Sequence, residues 1–163
     1  MSEKIVIGIS DQKTSRSPDT LVTYALGSCV GISLFDPKSN IGGLAHIMLP
    51  DSKMITNPQS LDRMKFADTA IEDMLDRMVE IGASRKNIFA KIIGGANMFK
   101  ATGTSTFATI GLRNIEAVRN ELERLGIPIV GEDVGKDFGR TVYFDLKTGK
   151  ISVQSLGKGR KEL

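Results

Sequence analysis

Residues 21–37 read LVTYALGSCVGISLFDP. Thr20 to Leu26 and Cys29 to Phe35 are short, apolar and rich in β-branched residues, so each reads as a strand. Gly27-Ser28 separates them, and Asp36-Pro37 opens a turn that closes around Ser39-Asn40. Ile41 to Leu49 follows as a further strand, ended by Pro50-Asp51. The short connection makes the Cys29 and His46 strands a hairpin.

Outward from this hairpin, Lys4 to Ile9 reads as a strand and Ser10 to Asp19 as a polar loop. Ser52 to Gln59 is a second polar loop. Met64, Ala67, Ile71, Met74, Met78 and Ile81 recur at spacings of three and four, which predicts a helix over 61–81. Ser60 is placed to cap it and Gly82 to end it. Asn87 to Ile93 is a strand, and the Gly-, Thr- and Ser-rich run from Gly94 to Gly111 is a long loop of the kind that often carries function. A second helix spans 112–125, with Ile115, Val118, Leu122 and Leu125 as its stripe. Ile127 to Val130, Arg140 to Leu146 and Ile151 to Leu156 are late strands. The pattern implies an α/β sandwich: a mixed β-sheet with two main helices on one face. Residues 1–156 are expected as one domain, with 157–163 a flexible tail.

A chain of 163 residues suits one domain with a proper core. One cysteine excludes an internal disulfide, and with no secretory signal pattern the expected home is the cytoplasm. No apolar run approaches the ~18 residues of a spanning helix, so no membrane insertion is expected. With one histidine, a His/Cys metal site is not expected. Twenty-two basic against 19 acidic residues leave a net charge of +3, too small and dispersed to call for nucleic acid.

The chemistry points to the sole cysteine and the sole histidine. Cys29 lies among small residues, where Gly27 permits a sharp turn and backbone amides can face a developing oxyanion. His46 lies 17 positions on, in a strand apolar on both faces, so its ring is expected to be at least partly buried. A nearby imidazole would lower the thiol pKa and supply a thiolate. Thr23 shares strand parity with Cys29 if the strand stays regular; its hydroxyl or its carbonyl could accept the second ring N–H. Each residue also has an inert reading, as core thiol, core imidazole and strand former. Residue chemistry alone reaches a thiol hydrolase or transferase of unknown substrate.

Residues 21–37, GGLAHIMLPDS (42–52), KFADTAIEDM (65–74), KIIGGANMF (91–99) and IGLRNIEAV (110–118) together resemble the CheD family of chemoreceptor glutamine deamidases. One departure lies at 134–140, VGKDFGR, where the family tends to carry paired glycines. The resemblance implies a fold related to bacterial deamidating toxins. It implies hydrolysis of receptor glutamine side chains to glutamate and ammonia, with Cys29, His46 and Thr23 as the catalytic set and no cofactor. The partners it implies are chemoreceptor cytoplasmic helices as substrate and a CheC-type phosphatase. The alternative is a regulatory module that binds and stimulates such a phosphatase.

A helical substrate calls for an open groove, with walls expected from Ser10–Asp19, Ser52–Gln59 and Gly94–Gly111. Ser28, Met98 and Phe99 are candidate contacts there; the bland reading of Met98 and Phe99 is core packing beneath the loop. Gly94-Gly95 lacks the Gly-Lys-Ser/Thr of a phosphate loop. The basic run Gly157 to Lys161 reads as solvated.

Overall fold

In the computed structural model, residues 2–57, 59, 61–98 and 109–163 are described. In chain order the elements are β1 (Lys4–Val6), β2 (Asp11–Arg16), β3 (Thr20–Leu26), β4 (Val30–Asp36), β5 (Ile41–Ile47), α1 (Ala67–Glu80), β6 (Phe89–Gly94), α2 (Ile110–Arg124), β7 (Ile129–Val134), β8 (Arg140–Asp145), β9 (Ile151–Ser155) and β10 (Gly159–Glu162). The strands form two five-stranded sheets, β1-β3-β8-β9-β10 and β2-β5-β4-β6-β7. Each is mixed: β1 runs parallel to β3 and β6 parallel to β7, with the other pairs antiparallel.

The molecule is therefore a three-layer α/β sandwich. Both helices cover one face of the second sheet, where Val30, Ile32, Leu34, Ala45 and Ile47 meet Ile71, Met74, Val118 and Leu122. The other face meets the first sheet, where Phe35, Leu44 and Ile93 pack on Leu21, Val142, Phe144 and Val153. β4 and β5 are buried at every position because both of their faces are covered, which explains their unbroken apolar runs. A Cβ on Gly42 would lie 2.5 Å from the Leu146 side chain, and one on Gly43 2.8 Å from Met74. Those two glycines let the first sheet and α1 close on β5 from opposite sides.

The β4–β5 hairpin forms as its sequence predicts, with Asp36 opposite Ile41. The Asp36 carboxylate ties the turn by accepting from the amides of Lys38 and Ser84.

Four expectations are revised. First, residues 10–19 are not simply a loop: Asp11–Arg16 is a strand that pairs antiparallel with β5 along its whole length. Its sequence DQKTSR carries no apolar alternation because it is an edge strand with no fully buried position. Second, the expected tail contains a strand. Gly159–Glu162 pairs antiparallel with β9, and Leu163 exchanges two backbone hydrogen bonds with Ile151. Lys91 Nζ donates to the Leu163 carbonyl at 2.8 Å. Third, the first helix starts at Ala67, not at residue 61. Lys65 accepts from the Met48 and Leu49 amides and Leu49 from that of Ala67, so tertiary pairing holds Phe66 extended, after a turn over 63–65. The expected Ser60 cap lies outside the described residues. Fourth, β7 runs on to Val134 despite Glu132 and Asp133, because its parallel pairing with β6 continues to Gly94.

A chain truncated after Leu156 loses β10 and one of the two carbonyl partners of Lys91, keeping that of Gly149. Its loss of stability is expected to reach about 1 kcal/mol or more, roughly 3 °C or more in melting temperature by calorimetry. An unchanged melting temperature would mean the last strand contributes nothing.

Candidate active site

His46 is the penultimate residue of β5 and points between the sheets. Its ring is almost wholly buried, at 1% exposure. Thr23, fully buried on β3 of the opposite sheet, meets it: Thr23 Oγ1 lies 2.7 Å from His46 Nδ1 and 2.8 Å from the Ile7 carbonyl. A hydroxyl has one proton, and a carbonyl can only accept. Thr23 therefore donates to Ile7 and accepts from His46, which assigns the ring proton to Nδ1. Nε2 is left with a free lone pair, and it is buried with no hydrogen-bond partner in the described structure. Of the two Thr23 acceptors considered from sequence, the structure brings the hydroxyl to the ring.

The route from Thr23 to Cys29 is not regular. β3 and β8 slip register between Thr23 and Leu26, and Ala25 adopts the left-handed region at φ 56°. This bulge ends regular pairing and swings the chain into the turn 27–29. Strand parity therefore does not link Thr23 to Cys29. The packing of one sheet on the other brings Thr23 to His46.

Cys29 is half-buried and packs at the edge of the intersheet core. Gly31, two residues on, stands directly opposite His46 in the β4–β5 ladder, so Cys29 enters the strand diagonal to the ring. The turn is held from behind. The Cys29 carbonyl accepts from the Gly95 amide at 2.8 Å, and the Gly27 carbonyl from the Ala96 amide at 2.8 Å. Gly94 has φ +108°, and a Cβ there would lie 2.4 Å from the Cys29 carbonyl oxygen. Only glycine permits that approach.

Burial dominates the electrostatics of both groups. It pushes the Cys29 thiol above its ordinary value, with its own amide N–H opposing weakly, and it lowers His46 from 6.5 to about 4. The resting pair is thus a neutral thiol and a neutral imidazole. This revises the expectation that the imidazole lowers the thiol pKa and supplies a standing thiolate. An imidazole with an open Nε2 can instead take a thiol proton as the sulfur attacks. Among the described residues, no group of three His, Cys, Asp or Glu side chains is arranged to hold a metal ion.

Of the three candidate contact residues, Ser28 lies in the Cys29 turn and Met98 is 48% exposed, its side chain over Gly27. Phe99 lies outside the described residues. Met98 and Gly27 border a cleft of about 430 Å³ whose other walls include Ala25, Thr141, Gln154 and Leu156. Of the three expected walls, only the segment after Gly94 reaches this cleft; the others come from β3, β8 and β9.

One residue escapes the sequence reading. Asn114, fully buried on α2, donates from Nδ2 to the Ser28 carbonyl at 2.9 Å and to the Met48 carbonyl at 3.0 Å. Its signal was a lone amide among the buried residues Gly111, Ile115, Val118 and Leu122 of that helix.

Residues 48–155 match the family model described as CheD chemotactic sensory transduction. A protein of Clostridium botulinum (strain Hall), named probable chemoreceptor glutamine deamidase CheD, is 44% identical over 99% of this chain and 98% of its own. The chain belongs to the CheD family. A relative of the same name from Lachnoclostridium phytofermentans is 40% identical over the full length of both chains. The match to the family model begins after His46, so likeness across the β3–β5 region rests on these full-length relatives. Among solved structures, the YfiH protein of Bacillus licheniformis aligns at TM-score 0.47 and 16% identity, over 78% of this chain and 50% of its own. No helix among the described residues is long and apolar enough to cross a membrane.

The histidine pKa has a consequence for stability. Folding holds His46 neutral down to about pH 4, whereas the unfolded chain protonates near 6.5. The unfolded state binds more protons between those values, so this contribution is full above pH 6.5 and is lost as pH falls through about 4. The expected loss is about 3 kcal/mol. No other histidine shares the window. Urea unfolding at pH 7 and pH 4.5 is expected to show most of this loss, and His46→Gln to show much less. Equal pH dependence in both proteins would contradict the burial argument.

Proposed function

We propose that this chain is a chemoreceptor glutamine deamidase, with Cys29 as nucleophile, His46 as proton carrier and Thr23 as the residue that orients the ring. The observation that carries the reading is the Thr23–His46 contact, which leaves Nε2 unprotonated beside the strand entered by Cys29. The CheD membership and the names of its relatives supply the substrate class. They favour hydrolysis over a purely regulatory module that stimulates a CheC-type phosphatase.

The reaction then runs as follows. Cys29 Sγ attacks the carboxamide carbon of a receptor glutamine while Nε2 takes the thiol proton. Backbone amides at the Cys29 turn face the oxyanion; loss of one such donor typically costs about 10²–10³ in rate. The C–N bond breaks as the imidazolium passes its proton to the departing nitrogen. A ring with a pKa near 4 is a weak base at rest, but its conjugate acid gives up that proton readily. Ammonia leaves and a thioester remains. Nε2 next removes a proton from water, which attacks the thioester, and glutamate departs as the thiol is restored. No cofactor enters, since the amide and water supply every atom.

The substrate side chain must reach a half-buried sulfur, and the cleft bordered by Gly27, Met98 and Leu156 offers an open wall beside the turn. Met98 and Leu156 are exposed apolar side chains suited to the face of a receptor helix. The proposed setting is cytoplasmic, where the signalling helices of receptors lie.

Incubation with a receptor cytoplasmic fragment is expected to release ammonia and to add about one dalton at each modified glutamine, read by mass spectrometry. Cys29→Ala and His46→Ala are expected to abolish both signals. Thr23→Val, which cannot accept from Nδ1, is expected to lower kcat by about 10–100-fold, and Thr23→Ser to retain most of it. Full activity of Cys29→Ala would refute the covalent route.

A further inference from the structure

Two segments must meet for the proposed chemistry: the turn that carries Cys29 and the strand that carries His46. They leave the sheet at the same end, next to α2. There a single side chain touches both. The Asn114 amide donates one hydrogen to the Ser28 carbonyl, adjacent to Cys29, and the other to the Met48 carbonyl, two residues past His46. Turning the amide over would set Oδ1 against two carbonyls, so the donors' orientation is fixed by their partners.

The cost of this residue bears on its role. Asn114 is fully buried, and its Oδ1 has no partner in the described structure. A buried acceptor left unpaired is unfavourable. An apolar residue would suit this stripe, yet it would leave both carbonyls without their side-chain donor. The amide joins two segments of the chain to α2, and those segments bear the thiol and the imidazole.

We infer that Asn114 is a positioning residue: its amide fixes the Cys29 turn against the exit of the His46 strand and so sets the approach of sulfur to Nε2. This rests on the deamidase reading only in that thiol and imidazole act together; it does not depend on the substrate. A merely structural Asn114 would change stability and leave the coupling between Cys29 and His46 intact.

The test is a double-mutant cycle read on the full-length protein by iodoacetamide alkylation of Cys29. His46→Gln is expected to slow alkylation about tenfold in the native background and less than about twofold in Asn114→Leu. Circular dichroism and melting temperature establish that each variant is folded at the assay temperature. Should Asn114→Leu fail to fold, Asn114→Ser takes its place, since one hydroxyl proton cannot serve both carbonyls, and the same collapse is expected. With receptor fragment as substrate, kcat is expected to fall about 10–100-fold with KM little changed. An undiminished His46 effect in the folded Asn114 variant would overturn the positioning role, as would the absence of any His46 effect in the native background. If the receptor fragment releases no ammonia while the cycle still collapses, the deamidase reading fails and the positioning role stands.

Discussion

The site depends on one hydrogen bond that crosses the sandwich, from His46 Nδ1 to Thr23 Oγ1. Its donor stands on one sheet and its acceptor on the other, so it forms only when the two sheets are closed at the right spacing. That spacing is set by ordinary packing. Gly42 admits Leu146 and Phe144 against β5, and Leu44 and Phe35 fill the remainder of the layer. Thr23 has a second obligation, to the Ile7 carbonyl, and this decides the direction of the bond. A backbone carbonyl just beyond β1 thereby determines which ring nitrogen stays bare.

The low-dielectric layer that builds this bond also governs the charge state. Burial disfavours both thiolate and imidazolium, so the resting site stores neither. In the proposed reaction charge would arise only in passing, where backbone amides and the departing nitrogen could accept it. A neutral pair also leaves the thiol less open to stray electrophiles than a standing thiolate would be. The price is a weak base, which places more weight on geometry. The Gly95 and Ala96 amides behind the turn and the Asn114 amide beside it bear on that geometry.

Much of this was legible from residue pattern. The β4–β5 hairpin, the helical stripes and the isolation of one thiol and one imidazole all follow from spacing and composition. Other features were hidden for physical reasons. β2 and β10 are edge strands held by backbone hydrogen bonds, and DQKTSR and GRKE show no apolar alternation to betray them. The late start of α1 reflects the pairing of residues 65–67 with 48–49, which local propensity cannot foresee. Strand parity leads to Thr23, but the bulge at Tyr24 and Ala25 destroys that parity before Cys29; the contact is made between sheets instead. Asn114 was visible only as a polar residue on an apolar stripe, a pattern that names a buried amide without naming its partners.

The central claim is that His46 rests as a neutral ring with its proton on Nδ1 and its lone pair on Nε2. Nitrogen-15 NMR of histidine-labelled protein tests this directly, because protonated and bare ring nitrogens differ widely in chemical shift. A protonated Nδ1 and a bare Nε2 are expected at pH 7, unchanged on acidification until the pH nears 4. A ring protonated on Nε2 at pH 7, or one that takes up its second proton near 6.5, would contradict it.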